Sequence, residues 1–333
     1  MSAFKSKKHA CYAALLLLCG SAAAQARTTL HVHCGASTGL TTIGAALKAL
    51  KDSEDGGPST INVSGACHEN VHIENFDHLT LRAVDGASIT DASSNTMDTI
   101  IIGHSQGIVV QGFSVTGGVD AFDVFQSTAR LIQNTVQGAL YDGVGVYRGG
   151  NAEILDGTMQ NNGYAGLLVW GGDAVAGGVT LQGNYEGIAI DDGGRVLFAV
   201  SDPFYAGVPG VPAAPAVIAN NLDFGIVAQR NSEVRCASCS ITGNTTAGVY
   251  LEFGSTARFT AYYSASVPNA SPTSITSNHG AGVSVGVLSS ATFQPRTSVS
   301  GNGSQYNITC NTATSVTRGA HAAAAGSTNC TDQ

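Results

Sequence analysis

A short phrase, Gly or Ala followed by alternating apolar residues, returns about every 22 positions along this chain. It reads VDAFDVF at 119–125, YDGVGVY at 141–147, YAGLLVW at 164–170 and YEGIAID at 185–191. It continues as DFGIVAQ at 223–229, TAGVYLE at 246–252 and GAGVSVG at 280–286. The small residue stands at 121, 143, 166, 187, 225, 248 and 282, so the steps are 22, 23, 21, 38, 23 and 34. Self-similarity at one period restricts the fold more than any local propensity does. A single repeat cannot bury its apolar side without neighbours.

Counting from the small residue, positions +1 and +3 are apolar, as in Val144 and Val146, Leu167 and Val169, or Ile188 and Ile190. That period of two is a strand with one face turned inward. A second strand follows at +9 and +11, as in Ala152 and Ile154 or Val196 and Phe198. A third, as in SITGN at 240–244, precedes the next repeat and closes on Asn162, Asn184, Asn221, Asn244, Asn278 or Asn302. Asn tolerates the left-handed backbone that a sharp corner needs. Three strands and three corners in one period describe a coil of a parallel β-solenoid, with like stacked on like at about 4.8 Å per coil.

The ends and the long steps fit that frame. Ile43, Leu47 and Leu50 share one face of a helix predicted over about 41–53, a lid for the first coil. Coils are expected over 60–311, with a cap or tail at 312–333, all within one domain spanning 27–333. The extra residues of the two long steps fall at one corner, Ser201–Ala216 and Ala261–Ser271, and carry Tyr205 and Tyr262 among their aromatics. Insertions grouped on one side of a repeat array often mark the binding side.

The first 26 residues read as a secretory signal. Lys5, Lys7 and Lys8 precede an apolar run too short to span a bilayer, and Ala24-Gln25-Ala26 offers a small-residue cleavage site. The expected location is secreted or periplasmic, with no membrane span. Of 15 basic and 23 acidic residues, three lysines lie in the leader, which leaves 12 against 23 and a formal charge of −11. Such a surface lacks the footprint of a nucleic-acid binder. It also suits a polyanionic glycan poorly, unless calcium or a local arginine cluster intervenes. Six cysteines survive the leader, and an even number in an exported chain favours disulfides. The expected pairs are Cys34–Cys67, Cys236–Cys239 and Cys310–Cys330. Nothing completes a metal site around the Cys236–Cys239 spacing.

With its cap helix, the segment INVSGACHENVHIENFDHLTLRA at 61–83 and the coils from 121 to 286, the chain resembles the right-handed parallel β-helix proteins of the pectin-lyase-like superfamily. The resemblance implies an all-β, right-handed parallel β-helix. It does not imply one activity, because that superfamily holds polysaccharide lyases, hydrolases, esterases, epimerases, phage tailspikes and proteins without known activity. A polygalacturonase-type pattern would need an NTD, an Asp pair, a GHG and an RIK. Only Asp191-Asp192 and Asn278-His279-Gly280 echo it. A lyase activity would bring calcium with it; otherwise no cofactor is evident.

Position +4 points outward, and its column reads Phe125, Tyr147, Trp170, Asp191, Gln229, Glu252, Gly286. Flat rings rising by about 4.8 Å suit the faces of successive sugars. Position +5 adds Arg148, Asp192 and Arg230, the last placed to pair with Asp192 or to hold a substrate carboxylate. Asp191 and Glu252 lie two coils apart, about 9–10 Å between backbones. That approaches the carboxyl separation of an inverting hydrolase. The expectation is a protein that binds, and in the narrower reading cleaves, a polysaccharide or cell-surface glycan. Asp191 and Glu252 would then be catalytic, with Asp192 and Arg230 orienting the chain. Phe125, Tyr147, Arg148, Trp170, Tyr205 and Tyr262 would bind it. A non-catalytic structural or adhesive solenoid is the alternative.

Overall fold

The computed structural model describes residues 28–53, 57–198, 215–260 and 272–333. The leader at 1–26, Tyr205, Tyr262 and the bodies of both inserted loops lie outside them. Each coil runs as expected, for example Val144–Tyr147, then Asn151–Leu155, then Thr158–Gln160. Every strand pairs in parallel with its counterparts in the coils above and below. Among the described residues this gives three sheets of ten, twelve and ten strands, named here the first-, second- and third-strand sheets. The protein is therefore an all-β parallel solenoid of about ten coils. The inward positions form one continuous core in which Phe122, Phe198 and Ile188 are wholly buried, and Phe259 stacks on Phe293 at 5.2 Å.

The asparagine series is a side-chain ladder. Asn184 Oδ1 accepts from the backbone N–H and Nδ2 of Asn162, and Asn221, Asn244, Asn278 and Asn302 repeat the arrangement coil by coil. From Asn184 onward the amide nitrogen also donates to a carbonyl of an earlier coil, such as Leu181 O for Asn221. The left-handed conformation belongs to the residue before each ladder position: Asn161, Gly183, Asn220, Gly243, Ser277 and Gly301. The asparagines thus serve through their amides and not through their own backbone angles, contrary to the sequence-based expectation.

The ladder also explains the small residue that announces each coil. A Cβ on Gly166, Gly187 or Gly225 would stand 2.7 Å from the amide nitrogen of Asn184, Asn221 or Asn244. Glycine at these points supplies room for the ladder, not a special φ. At the next corner, between the first- and second-strand sheets, the buried hydroxyls of Ser255 and Ser289 accept from the backbones of Ser232 and Ser255.

Both ends are closed. The helix Ile43–Asp52 buries Ile43, Ala46, Leu47 and Leu50 against the first coils. The Thr42 hydroxyl caps it, and Glu69 accepts from the backbone N–H groups of Ile43 and Gly44 at 2.7 and 3.0 Å. A carboxylate there also complements the helix dipole. The solenoid starts ahead of this helix, since Thr28–His33 pairs in full register with Ser59–Ser64. Beyond 311, Val316–Arg318 adds a last strand and Ala320–Ala323 a helical turn. Cys34–Cys67 fastens the first coil, Cys310–Cys330 the last, and Cys236–Cys239 bridges a corner between the second- and third-strand sheets.

Replacing Asn221 by Ala orphans two donors of Asn184 and the Leu181 carbonyl in a wholly buried corner. Urea titration should show the unfolding free energy reduced by about 2–3 kcal/mol. An unchanged midpoint would mean that the ladder is incidental to stability.

Candidate functional site

The +4 column is in register. Phe125 pairs with Tyr147, Tyr147 with Trp170 and Trp170 with Asp191, and the pairings of the following strands bring Gln229 and then Glu252 next. The rings do not form one platform, however. Phe125 lies back over Gly103, against the edge of His104. Tyr147 lies over Gly145 in its own strand. Both settle where a glycine leaves the outer floor of the sheet open. Trp170 alone in this column presents a free ring, 41% exposed, with the Arg148 guanidinium 5.9 Å from its centre.

The charged members pair differently from expectation. Arg230 Nη2 bonds Asp191 Oδ2 and not Asp192. Asp192 instead accepts from the Trp170 indole at 3.2 Å, while its own N–H donates to Asp191 Oδ1. Asp192 and Arg230 both take left-handed φ, which turns their side chains away from the strand direction at the corner. Glu252 accepts from the hydroxyl of Tyr250, whose pKa burial, followed by this acid, pushes up to about 12.

A carboxylate–phenol network, not foreseen from sequence, occupies the opposite edge of the same face. Asp98, Asp120 and Asp142 each accept a backbone N–H from the next coil, at Asp120, Asp142 and Ala165. The Tyr147 hydroxyl donates to Asp120 at 2.6 Å and reaches Asp142 at 3.3 Å, while Tyr164 bonds Glu186. Burial above all, then Asp120, raises the Asp142 pKa to about 8. Burial, then Asp98 and Asp120, raises Asp123 to about 7, and burial raises Glu186 to about 7. Burial likewise raises Asp120. Asp123 Oδ1 and Glu186 Oε2 are buried without a partner. This edge holds protonated carboxyl groups around neutral pH. The sequence signal was the acid just before the small residue in several coils, which reads locally as ordinary turn composition.

Around the next corner, the outer face of the second-strand sheet is basic. Of the nine arginines after residue 28, six stand on its strands: Arg82, Arg130, Arg195, Arg235, Arg258 and Arg318. Arg130 pairs with Glu153 and Arg235 with Glu233. Arg258 is the direct register neighbour of Arg235 and has no acidic partner among the described residues. A shallow groove of about 270 Å³ opens here, floored by Val175 and Leu197 and flanked by Asp173, Arg195, Glu233 and Arg235. This is the local arginine cluster on which the sequence reading had made a polyanionic ligand conditional. Arg130, Arg235, Arg258 and Arg318 share one outward column, legible only once the coils are aligned, while Arg82 and Arg195 stand in the columns beside it.

No set of side-chain oxygens among the described residues forms a ready cage for calcium. Among the described residues one trio of donor side chains converges, Cys34, Cys67 and Glu69, and its cysteines are joined in a disulfide. The carboxylates of the network do not meet closely enough to surround a hard cation. No helix among the described residues is long and apolar enough to cross a membrane.

A family model described as a right-handed β-helix region matches residues 98–264. Among solved structures, the crystal structure of pectate lyase Pel9A is similar with a TM-score of 0.55 at 10% identity, over 87% of this chain and 78% of that one. The A-module of mannuronan C-5 epimerase AlgE6 from Azotobacter vinelandii follows at 0.39 and 12%, over 82% and 87%. The catalytic domain of a GH87 α-1,3-glucanase in complex with nigerose stands at 0.30 and 12%, over 87% and 66%. No curated protein matches the sequence. The likeness to the first of these structures is one of fold.

The carboxyl network fixes a pH dependence. Unfolded carboxyls titrate at about 4, whereas the folded groups hold their protons up to about 7 or 8. Between those limits the folded state binds more protons at these groups, so their contribution to stability is fullest below about pH 4 and is lost as pH rises through the folded values. Melting temperatures should therefore fall from pH 5 to 9. The decline should be shallower in Asp142→Asn, which keeps the acceptor for Ala165 N–H. Parallel profiles in the two proteins would show that Asp142 is ionised throughout.

Proposed function

The chain belongs to the right-handed β-helix family, and from that premise we propose that it is an exported protein that binds an acidic polysaccharide. The binding surface in this reading is the corner where the first- and second-strand sheets meet. The observation that carries it is the pair Arg235 and Arg258, set on adjacent coils with one acid between them. Like charges directly opposite in a sheet are destabilising, by on the order of 0.2–1 kcal/mol. A polyanion laid along the coils relieves that repulsion. Arginine forks also match carboxylate geometry. Across the corner, Trp170 offers a ring to a sugar face, with Arg148, Asp192 and Arg230 around it. A pectate lyase among the similar structures agrees with a ligand of this class. Three disulfides agree with export.

Cleavage is the narrower reading, with Asp191 and Glu252 flanking the bond and Asp192 and Arg230 orienting the chain. The tie between Arg230 and Asp191 favours binding over cleavage, because that carboxylate is already neutralised. If turnover of a uronan is nevertheless found, alanine at Asp191 or Glu252 should abolish it.

Polygalacturonate and alginate oligomers titrated at low and high salt test the reading. Binding should weaken with salt, as screening demands, and R235A/R258A should lose about tenfold or more in affinity. Trp170→Ala should lose roughly five- to tenfold without altering the salt dependence. A double arginine variant that binds as tightly as the parent would sink the proposal, as would equal affinity for DNA.

A further inference from the structure

The corner between the third- and first-strand sheets carries a different surface. Tyr141, Tyr164 and Tyr185 occupy the same place in three successive coils, linked by backbone hydrogen bonds from Tyr164 N to Tyr141 O and from Glu186 N to Tyr164 O. Sequence alone reads this column as packing within the turn. In the structure Tyr141 is 54% and Tyr185 44% exposed, with Leu140 and Leu222 open beside them at 49% and 64%. So much contiguous apolar surface on consecutive coils is not what a solvated corner requires.

Two of the three rings are held in place. Tyr164 and Tyr185 stack with centroids 6.3 Å apart and 25° between planes. The Tyr164 hydroxyl is tied to Glu186 and that of Tyr185 to Asp223. Ordering of side chains is a large part of what binding costs, and here it is met in advance. Below the rings, Glu186 is only 7% exposed and its Oε2 has no partner. A buried carboxyl oxygen left unpaired is unfavourable unless a ligand supplies the missing hydrogen bond. Apolar ring faces beside an unsatisfied carboxyl group suit a sugar, which has a C–H face and hydroxyl groups. The corner segments 139–142, 161–165, 183–187 and 220–224 hold no lysine or arginine, so a uronate would find no counter-charge here and the matching glycan is uncharged.

We propose that Tyr141, Tyr164 and Tyr185, with Glu186 beneath them, form a second carbohydrate-binding strip, specific for an uncharged glycan chain laid along the coils. Its chemistry and location are separate from those of the arginine face. One end of the solenoid's girth would take a polyanion and the other a neutral polymer, so that the protein links two kinds of polysaccharide.

The test uses the full chain and a panel of uncharged hexasaccharides (β-1,3-glucan, β-1,4-glucan, mannan and xylan), titrated by calorimetry with polygalacturonate oligomers in parallel. At least one uncharged member should bind. Y141A/Y185A should weaken that binding about tenfold or more with melting temperature and polygalacturonate affinity unchanged, and Glu186→Gln should weaken it severalfold with polygalacturonate affinity unchanged. Failure of every uncharged member to bind overturns the proposal, and so does binding that survives Y141A/Y185A. Sedimentation that shifts from dimer to monomer in Y141A/Y185A assigns the strip to a second copy of the chain and also overturns it. Loss of uronan binding in the arginine variants with the tyrosine strip still active would separate failure here from failure of the acidic-glycan reading.

Discussion

The asparagine ladder is the interaction on which the other features depend. A parallel stack has only one backbone spacing to offer, and every outward column exists because successive coils stay in register. Five buried amides and the half-buried Asn302 hold that register by bonding both backbone and side chain of the neighbouring coil. They do so at a corner, where main-chain groups would otherwise lack partners. The glycines that announce each coil are the room this ladder requires. The repeat phrase and the ladder are therefore one constraint seen from two sides.

How much was legible follows from the same constraint. Inward Val144, Leu167 and Ile188, and the register of Tyr147, Trp170 and Asp191, could be read because stacking repeats a position in sequence at a place in space. The pairing of the six cysteines also emerged as expected. What could not be read is how outward side chains lie down. Tyr147 rests over Gly145 because that strand lacks a side chain there, and its hydroxyl then finds Asp120. Arg230 chooses Asp191 over Asp192 because both corner residues are swung by left-handed backbone. Rotamers answer to neighbours in three dimensions, and periodicity carries no information about them. The arginine column lay within reach of the alignment but needed a position, +10, whose residue types change from acid to apolar to basic along the stack.

The structure sorts charge by face, although the chain as a whole is strongly acidic. Carboxyl groups concentrate at one edge of the first-strand sheet, where burial keeps several of them protonated. Arginines concentrate on the second-strand sheet, where they remain open to solvent. Net charge alone would have steered every anionic ligand away. A solenoid can nonetheless present opposite fields on adjacent faces, because each face is a single column position repeated and tuned independently of the others.

The placement of the disulfides has a mechanical consequence. In a one-dimensional stack each coil leans only on its two neighbours, so unravelling starts from whichever end frays first. Cys34–Cys67 and Cys310–Cys330 act as clasps on those two ends. With both shut, opening must begin in the middle of the stack, where two interfaces break at once. A reducing milieu would undo the clasps and let the fibre unzip inward from its tips, which makes the redox state of the surroundings a determinant of how long the protein survives.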